Sequence, residues 1–259
     1  MAIRPFSPQE FPTIVAHRGA SSTHPENTLP AFEAAVAAGA GVVELDARLT
    51  SDGVAVVLHD PDVGRTTDGQ GFVHEMTAEQ VAALRAGNAD VPAGVPTLRE
   101  ALRTLSGRAA VAIEIKNLPG EPAYEPAHES IVRAAIEDLE ATGFDGPVLV
   151  VSFNPHSIAA AKALAPDVTT GFLTTQIVDP REALGYVTER EHDVLLPGSY
   201  SLIPAGAAFV AEAHDAGVRV GTWTIDDAAT VRMLLGWGVD AIASNDPAMA
   251  LSELAAFAG

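Results

Sequence analysis

Short apolar runs alternate along the chain with longer, alanine-rich amphipathic stretches. The runs are continuously apolar, a pattern typical of parallel strands that helices cover on both faces. We predict eight such strands, near Thr13–His17, Val42–Arg48, Ala109–Lys116, Pro147–Ser152, Val168–Phe172, Asp193–Leu196, Val218–Trp223 and Asp240–Ala243. A further short strand at Val54–Leu58 is predicted to pair with the end of the second strand through the turn Ser51-Asp52-Gly53.

The amphipathic stretches predict helices, several of which begin near a proline or end at a glycine. They are predicted at Thr28–Ala38, Thr97–Leu105, Ala127–Thr142, Pro155–Leu164, Pro180–Val187, Pro204–Ala216, Asp226–Leu235 and Pro247–Phe257. Eight strand–helix units in 259 residues favour an α/β fold of one domain, residues 1–259, closed into a (β/α)8 TIM barrel. A doubly wound open sheet is the alternative, although it rarely needs eight repeats.

The segment from His59 to Pro96 is too long for an ordinary strand-to-helix loop. It contains the turns Asp60-Pro61 and Asp68-Gly69, and a short helix is predicted near Ala78–Ala86. We predict that residues 60–96 form a small insertion lobe after the second strand, on the C-terminal rim where TIM barrels bind substrates. A structurally neutral excursion is the alternative.

Composition and charge narrow the possible functions. The net charge of −19 argues against a nucleic-acid partner or an anionic membrane surface, because both require clustered cations. The absence of cysteine excludes disulfides, thiolate chemistry and cysteine zinc sites. The N-terminal residues lack the apolar core of a signal peptide, and no apolar run approaches the roughly 20 residues of a membrane span. We therefore expect a soluble cytoplasmic protein without stable membrane insertion.

Acidic residues lie at two predicted strand ends. Glu44 and Asp46 are two residues apart on one strand, so both side chains leave the same face, which is the inside of a barrel. Glu114 and Lys116 repeat this spacing on the next main strand. Each pair alone has an ordinary alternative, surface acids on a strand edge or a buried salt bridge. Together the three carboxylates predict a site for a hard divalent cation, Ca²⁺ or Mg²⁺. The sequence has neither cysteine nor a paired-histidine ligand motif such as HExxH, which disfavours zinc.

Two histidines end apolar runs at the same predicted rim. His17 in His17-Arg18-Gly19 and His59 in His59-Asp60 are candidate acid–base groups, and an arginine such as Arg18 can hold phosphate oxygens. The alternative for each histidine is a hydrogen-bonded core residue. Trp223, at the end of the seventh strand, either covers the barrel mouth and contacts a substrate or fills the core.

The other six histidines are predicted to be ordinary. His24 lies in a loop that can approach the site, and nothing in the sequence requires that it does. The remaining five are predicted to be solvated, and they are His74, His128, His156, His192 and His214.

The chemistry-bearing residues fall in an ordered set of motifs. They are His17-Arg18-Gly19-Ala20, Pro25-Glu26-Asn27-Thr28, Val43-Glu44-Leu45-Asp46, Leu58-His59-Asp60-Pro61, Arg65-Thr66-Thr67-Asp68-Gly69, Ile113-Glu114-Ile115-Lys116 and Trp223-Thr224-Ile225. In this order and spacing, from about Thr13 to Pro247, the chain resembles the glycerophosphodiester phosphodiesterases. The resemblance implies a (β/α)8 barrel with an insertion after the second strand. It also implies a hydrolase of lipid and glycerol metabolism that uses a divalent cation to convert glycerophosphodiesters to glycerol 3-phosphate and an alcohol.

The resemblance also implies roles for single residues. Carried over position by position, they are the metal ligands Glu44, Asp46 and Glu114, the acid–base pair His17 and His59, and the phosphate contacts Arg18 and Lys116. Glu26 corresponds to an acidic residue with a supporting role. Ser244 stands where many members carry threonine, which bears on hydrogen bonding at the rim rather than on the central chemistry.

Several alternatives stay open at this point. The nucleophile is either water or the neighbouring glycerol hydroxyl, which would give a cyclic phosphate, and either histidine can be the base. A phospholipase D-like or phosphoinositide-cleaving enzyme on the same barrel is a rival, as is a catalytically silent barrel that binds a phosphorylated ligand. The substrate is expected to be a small molecule, and the protein is expected to be a monomer or a homodimer.

Overall fold

The computed structural model describes residues 3–7, 11–87 and 93–259. Its strands within these residues are β1 (Thr13–Ala16), β2 (Val42–Leu49), β3 (Ala55–Val57), β4 (Arg85–Ala86), β5 (Ala93–Gly94), β6 (Ala110–Ile115), β7 (Val148–Ser152), β8 (Thr169–Thr174), β9 (Val194–Pro197), β10 (Arg219–Thr222) and β11 (Ala241–Ser244). Strands β1, β2 and β6 to β11 pair in parallel, and β1 hydrogen-bonds to both β2 and β11. The sheet is therefore closed, which confirms the predicted TIM barrel and rules out the open sheet.

Helices connect the strands and cover the barrel. In the described residues they are α1 (Leu29–Ala37), α2 (Ala78–Ala82), α3 (Leu98–Leu105), α4 (Ser130–Thr142), α5 (Pro155–Leu164), α6 (Pro180–Glu189), α7 (Ser199–Asp215), α8 (Ala228–Gly236) and α9 (Pro247–Ala258). Helix α4 begins three residues after its predicted start, because Glu129 has a left-handed backbone with φ 48°. Helix α7 begins five residues before its predicted start and is kinked at Gly206, where φ is 73°.

The apolar core lies mainly between the barrel and its helices. Leu45 on β2 and Ile113 on β6 are fully buried in one cluster with Phe32 and Leu98 of the flanking helices. Burying such a side chain contributes about 1.5–3 kcal/mol. Because successive strand residues point to opposite faces, the neighbours of Leu45 and Ile113 point toward the barrel axis. This alternation places polar residues of the same strands inside the barrel.

Strand β3 pairs antiparallel with the end of β2, with Ala47 opposite Val57 and Leu49 opposite Ala55. This confirms the predicted hairpin. After it come two short 3-10 turns, Val63–Arg65 and Val73–Glu75, then α2 and the small sheet of β4 and β5. The predicted helix over Ala78–Ala86 is too long, because its last two residues pair in β4.

The segment after β3 packs with Val56 of β3 in a small apolar cluster, whose other members are Leu58, Val63, Val73, Val81, Ala86 and Val95. Residues 88–92 of the predicted lobe lie outside the described residues. The assignment of residues 60–96 as a lobe of a single domain therefore stays a prediction. Among the helices of the described residues, none combines the length and the apolar character that crossing a bilayer requires.

Candidate active site

Three carboxylates converge at the C-terminal ends of β2 and β6. The parallel register places Asp46 opposite Glu114 and Glu44 opposite Ala112. One oxygen from each of Glu44, Asp46 and Glu114 lies within 4.8 Å of the others. All three side chains are buried. The strand alternation thus brings together the carboxylates that the sequence predicts for a cation site.

Burial makes this cluster electrostatically unfavourable on its own. Burial, reinforced by the charge of Asp46, raises the pKa of Glu44 to about 8. Burial likewise raises the pKa of Glu114 to about 7. Burial also opposes ionisation of Asp46, but the charges of Lys116 and Arg18 hold its pKa below the usual range. Only oxygen ligands are present, and Glu44 Oε1 is buried without a hydrogen-bond partner among the described residues. Such a donor set fits Ca²⁺ or Mg²⁺.

Two cationic side chains contact the carboxylates. Lys116 Nζ lies 3.0 Å from Asp46 Oδ1 and also pairs with Glu114. Arg18 Nε lies 3.3 Å from Asp46 Oδ2, and the Arg18 backbone N–H donates to Glu44 Oε2 at 2.8 Å. Both cations predicted to contact phosphate therefore lie against the acidic cluster, where they offset its charge.

The turn after β1 that carries Arg18 depends on a glycine. Gly19 has φ 80°, and a Cβ atom there would lie 2.6 Å from the carbonyl carbon of Ala31 in α1. No L side chain fits this space without a backbone shift. The close backbone approach at this glycine is therefore to helix α1.

The two predicted acid–base histidines line the same cavity as the acidic cluster. His17 Nδ1 lies 2.7 Å from Asn245 Oδ1, and His59 Nδ1 lies 2.5 Å from Asp60 Oδ1. Burial lowers the pKa of both imidazoles. Each ring is thus held through one nitrogen by a partner on the rim, and the two partners differ in charge.

A chain of ion pairs joins the two histidine sides of the site. Glu26 Oε1 accepts from Arg18 Nη1 at 2.9 Å, and both oxygens of Glu26 accept from Arg65. Arg65 also pairs with Asp60, the partner of His59. Glu26 thus lies between two arginines. Sequence reasoning found the motif that contains Arg65 but gave this residue no role.

Sequence reasoning also missed two further contacts of the site. Asn27 is buried, and its Nδ2 donates to Asp46 Oδ2 at 2.7 Å. Arg48 is buried and pairs with both oxygens of Glu121 at 2.7 and 3.0 Å, while its Nε donates to the carbonyl oxygen of His59 at 2.7 Å. Arg48 lies two residues after Asp46 on the same face of β2, so the sequence spacing could have predicted that its side chain points toward the site.

The opposite side of the cavity, whose volume is about 260 Å³, is apolar. The Trp223 indole donates from Nε1 to the carbonyl oxygen of Leu196 at 3.0 Å and packs edge-on against Phe153. Other apolar lining residues are Leu149, Val151 and Leu173. Trp223 lines the cavity at the barrel mouth, which agrees with the first of its two predicted positions, at the mouth rather than in the core. The cavity has a charged wall and an apolar wall.

One of the histidines predicted to be solvated is buried. His192 is 5% exposed, and its Nδ1 lies 2.9 Å from Thr170 Oγ1. Its ring also stacks on Tyr186. The prediction was wrong for this residue because His192 packs against Thr170 of β8 and Tyr186 of α6, and its polar sequence neighbours do not indicate these contacts.

The chain is similar in sequence and in fold to known proteins. The sequence profile of the glycerophosphoryl diester phosphodiesterase family matches residues 17–249. A glycerophosphodiester phosphodiesterase of Caldanaerobacter subterraneus subsp. tengcongensis is 33% identical over 244 residues, which cover 90% of this chain and 94% of that relative.

Solved structures of phosphodiesterases are similar to this chain in fold. The structure of an Oleispira antarctica phosphodiesterase in complex with the product sn-glycerol-3-phosphate has a TM-score of 0.86 and 28% identity, and the match covers 95% of this chain and 98% of that chain. A glycerophosphodiester phosphodiesterase from Agrobacterium tumefaciens has a TM-score of 0.76 and 27% identity, with 95% of this chain and 99% of that chain covered.

Proposed function

Because the chain belongs to the glycerophosphoryl diester phosphodiesterase family, we propose that its barrel mouth hydrolyses glycerophosphodiesters to glycerol 3-phosphate and an alcohol. The family match confirms the predicted family and the predicted class of enzyme. The observation that carries the proposal for this site is a cluster of three buried carboxylates, two of which line one cavity together with two cations and two histidines.

We propose that Glu44, Asp46 and Glu114 hold a divalent cation, Ca²⁺ or Mg²⁺. The support is their mutual distance, their burial and the unpartnered oxygen of Glu44. When bound, such an ion would neutralise the carboxylates and act as a Lewis acid toward a phosphate oxygen.

Arg18 and Lys116 would bind the remaining phosphate oxygens. Burial opposes the charge of Lys116, but Asp46 and Glu114 keep its pKa above the usual value. Lys116 therefore stays a cation at neutral pH. Guanidinium and ammonium groups held in a buried site stabilise the charge that develops on phosphate in the transition state.

The histidines would move the protons. Since burial lowers the pKa of both rings, a neutral imidazole is available near pH 7 to accept the proton of the nucleophile's O–H as a new P–O bond forms. The other imidazole donates its proton to the oxygen of the departing alcohol as the old P–O bond breaks. Trp223 and Phe153 would contact the carbon part of the substrate and exclude water from that wall.

The test is a coupled assay for glycerol 3-phosphate released from glycerophosphocholine. We expect turnover with Ca²⁺ or Mg²⁺, loss of turnover with excess chelator, and a fall of about 10²–10⁴-fold in rate for His17→Ala and for His59→Ala. His156→Ala, at an exposed histidine of α5, is the matched control. Turnover that is indifferent to chelator or to both histidine substitutions would contradict the proposal.

A second candidate, a phospholipase D-like enzyme that acts on lipid, is favoured by one observation. Ile177 is 89% exposed and Tyr200 is 82% exposed, and both lie in segments that follow barrel strands at the C-terminal rim. Faster turnover of lysophosphatidylcholine than of glycerophosphocholine would favour this candidate. A cytoplasmic location and a monomeric or homodimeric state stay predictions.

A further inference from the structure

Three neighbouring strand ends of the barrel are linked by hydrogen bonds that end at His17. Asp226, after β10, accepts from the backbone N–H of Asn245 at 2.8 Å and from its Nδ2 at 2.6 Å. Asn245, after β11, presents its Oδ1 to His17 Nδ1 at 2.7 Å. The hydroxyl of Ser21 lies 2.9 Å from the same Asn245 oxygen. The Asn245 side chain is thus held on both sides.

The chemistry of these groups determines which way each one points. An ionised carboxylate only accepts hydrogen bonds, so the amide NH₂ group of Asn245 must face Asp226. The amide oxygen of Asn245 must then face His17. Because this oxygen also only accepts, His17 Nδ1 must carry a hydrogen. A neutral imidazole has a single N–H, so the lone pair of His17 lies on Nε2.

The second histidine has a different partner. His59 Nδ1 contacts the carboxylate of Asp60 at 2.5 Å. A carboxylate stabilises a protonated imidazole, whereas a neutral amide oxygen orients the ring without adding charge. Of the two rings, His59 is therefore the one whose partner favours the imidazolium, although burial lowers the pKa of both rings.

We propose that Asp226 and Asn245 are positioning residues that hold His17 in its Nδ1–H tautomer, which makes His17 Nε2 the general base and His59 the general acid. This rests on the proposed phosphodiesterase function. The nucleophile's oxygen bonds to phosphorus while its proton passes to His17 Nε2. The P–O bond to the alcohol breaks, and its electron pair takes the proton of His59 Nε2. Release of one proton by His17 and uptake of one by His59 restore the starting state.

Asp226→Asn is the sharpest substitution, because an amide at position 226 can donate as well as accept. Asn245 is then free to turn over, and its NH₂ group can face His17, which favours the Nε2–H tautomer. We expect kcat to fall about 10–100-fold, as for other residues that orient a first contact, with KM nearly unchanged. Asp227→Asn is the matched control, since Asp227 is the exposed neighbour, and it should turn over like the parent.

The double exchange Asp226→Asn with Asn245→Asp provides a rescue. A carboxylate at position 245 only accepts, so it restores the Nδ1–H tautomer while the amide at 226 donates to it. We expect most of the lost kcat to return. A purely structural role would make the double variant at least as impaired as the single one.

The tautomer itself is measurable without turnover. Long-range ¹H–¹⁵N spectra of the parent at pH 8, assigned with His17→Gln, should show His17 Nδ1 protonated and Nε2 unprotonated, and Asp226→Asn should show a mixture. A protonated Nε2 in the parent, or Asp226→Asn within twofold of the parent in kcat, would overturn the inference. If the parent turns over no glycerophosphodiester, the spectra still decide the tautomer, so the two failures are distinguishable.

Discussion

Arg65 and Glu26 form a two-pronged ion pair, with Nη1–Oε2 2.9 Å and Nη2–Oε1 2.7 Å, that ties the segment after β3 to the loop after β1. Each partner has a second contact, Arg65 with Asp60 and Glu26 with Arg18. A planar guanidinium can serve two carboxylates in this way, whereas a lysine cannot hold both in a fixed geometry. The pair therefore couples the orientation of the His59 side of the site to that of Arg18.

Arg65→Met should reduce kcat/KM by about 10–100-fold, because Asp60 and Glu26 lose the group that orients them. Arg65→Lys should restore only part of this, since an ammonium cannot replace both bidentate contacts. The measurement is steady-state turnover of glycerophosphocholine. Arg85→Met is the matched control, because Arg85 belongs to the same segment and its side chain is 80% exposed. Equal activity of Arg65→Met and Arg85→Met would show that the bridge is dispensable.

Glu44 predicts a pH dependence of stability in the absence of divalent cation. Burial raises the pKa of Glu44 from 4.5 to about 8, so between these values the folded protein binds more protons than the unfolded chain. The contribution of Glu44 to stability is therefore present at low pH and is lost as the pH rises toward 8. Glu44→Gln is neutral at every pH, so we expect it to raise Tm relative to the parent more at pH 8 than at pH 5.

This comparison is made by thermal unfolding in chelator, because the difference between the two proteins cancels the titration of groups that they share. Glu137→Gln, on the exposed face of α4, should show no pH-dependent difference from the parent. Added Ca²⁺ should raise the Tm of the parent more than that of Glu44→Gln. If the Tm difference between Glu44→Gln and the parent is the same at pH 5 and pH 8, the pKa of Glu44 is not raised in the folded protein.

Glu121 is predicted to matter for stability as well as for activity. Glu121→Gln would leave the buried Arg48 guanidinium with a neutral partner, so we expect a loss of roughly 1–3 kcal/mol in the free energy of unfolding. Because Arg48 also donates to the His59 backbone, kcat should fall too. Denaturant unfolding and turnover are the measurements, and Glu140→Gln on α4 is an exposed control. Unchanged stability would mean that solvent replaces the lost contact.

The strands and the acidic cluster were predictable from the sequence for a common reason. Continuous apolar runs require burial on both faces, and the two-residue spacing of Glu44 and Asp46 places both side chains on one face of β2. The parallel pairing of β2 with β6 then brings Glu114 alongside. The apolar runs and the spacing of Glu44 and Asp46 are local in the sequence, so they can be recognised without knowledge of the tertiary structure.

Contacts between loops were not predictable in this way. Asn245 and Asp226 meet His17 only because β10, β11 and β1 are neighbours in the closed barrel, and Arg65 reaches Glu26 across 39 residues. The start of α7 was missed because Gly206 interrupts the helix, so the residues before Pro204 were not recognised as part of the same helix. The error at α7 is thus local, whereas the missed contacts of His17 and Glu26 depend on distant parts of the chain.

The two walls of the cavity come from different parts of the polypeptide. The ionisable side chains that line the cavity are supplied by the first half of the chain, on or after β1, β2, β3 and β6, whereas most of the apolar surface is contributed by β7 to β11. Changes in the loops after β7 to β9 can therefore alter the space for an alcohol leaving group without touching the carboxylates, whereas Asn245, after β11, contacts His17, and Asp226, after β10, contacts Asn245. Enzymes built on this barrel can therefore change their preference for the alcohol group of the substrate through single loops.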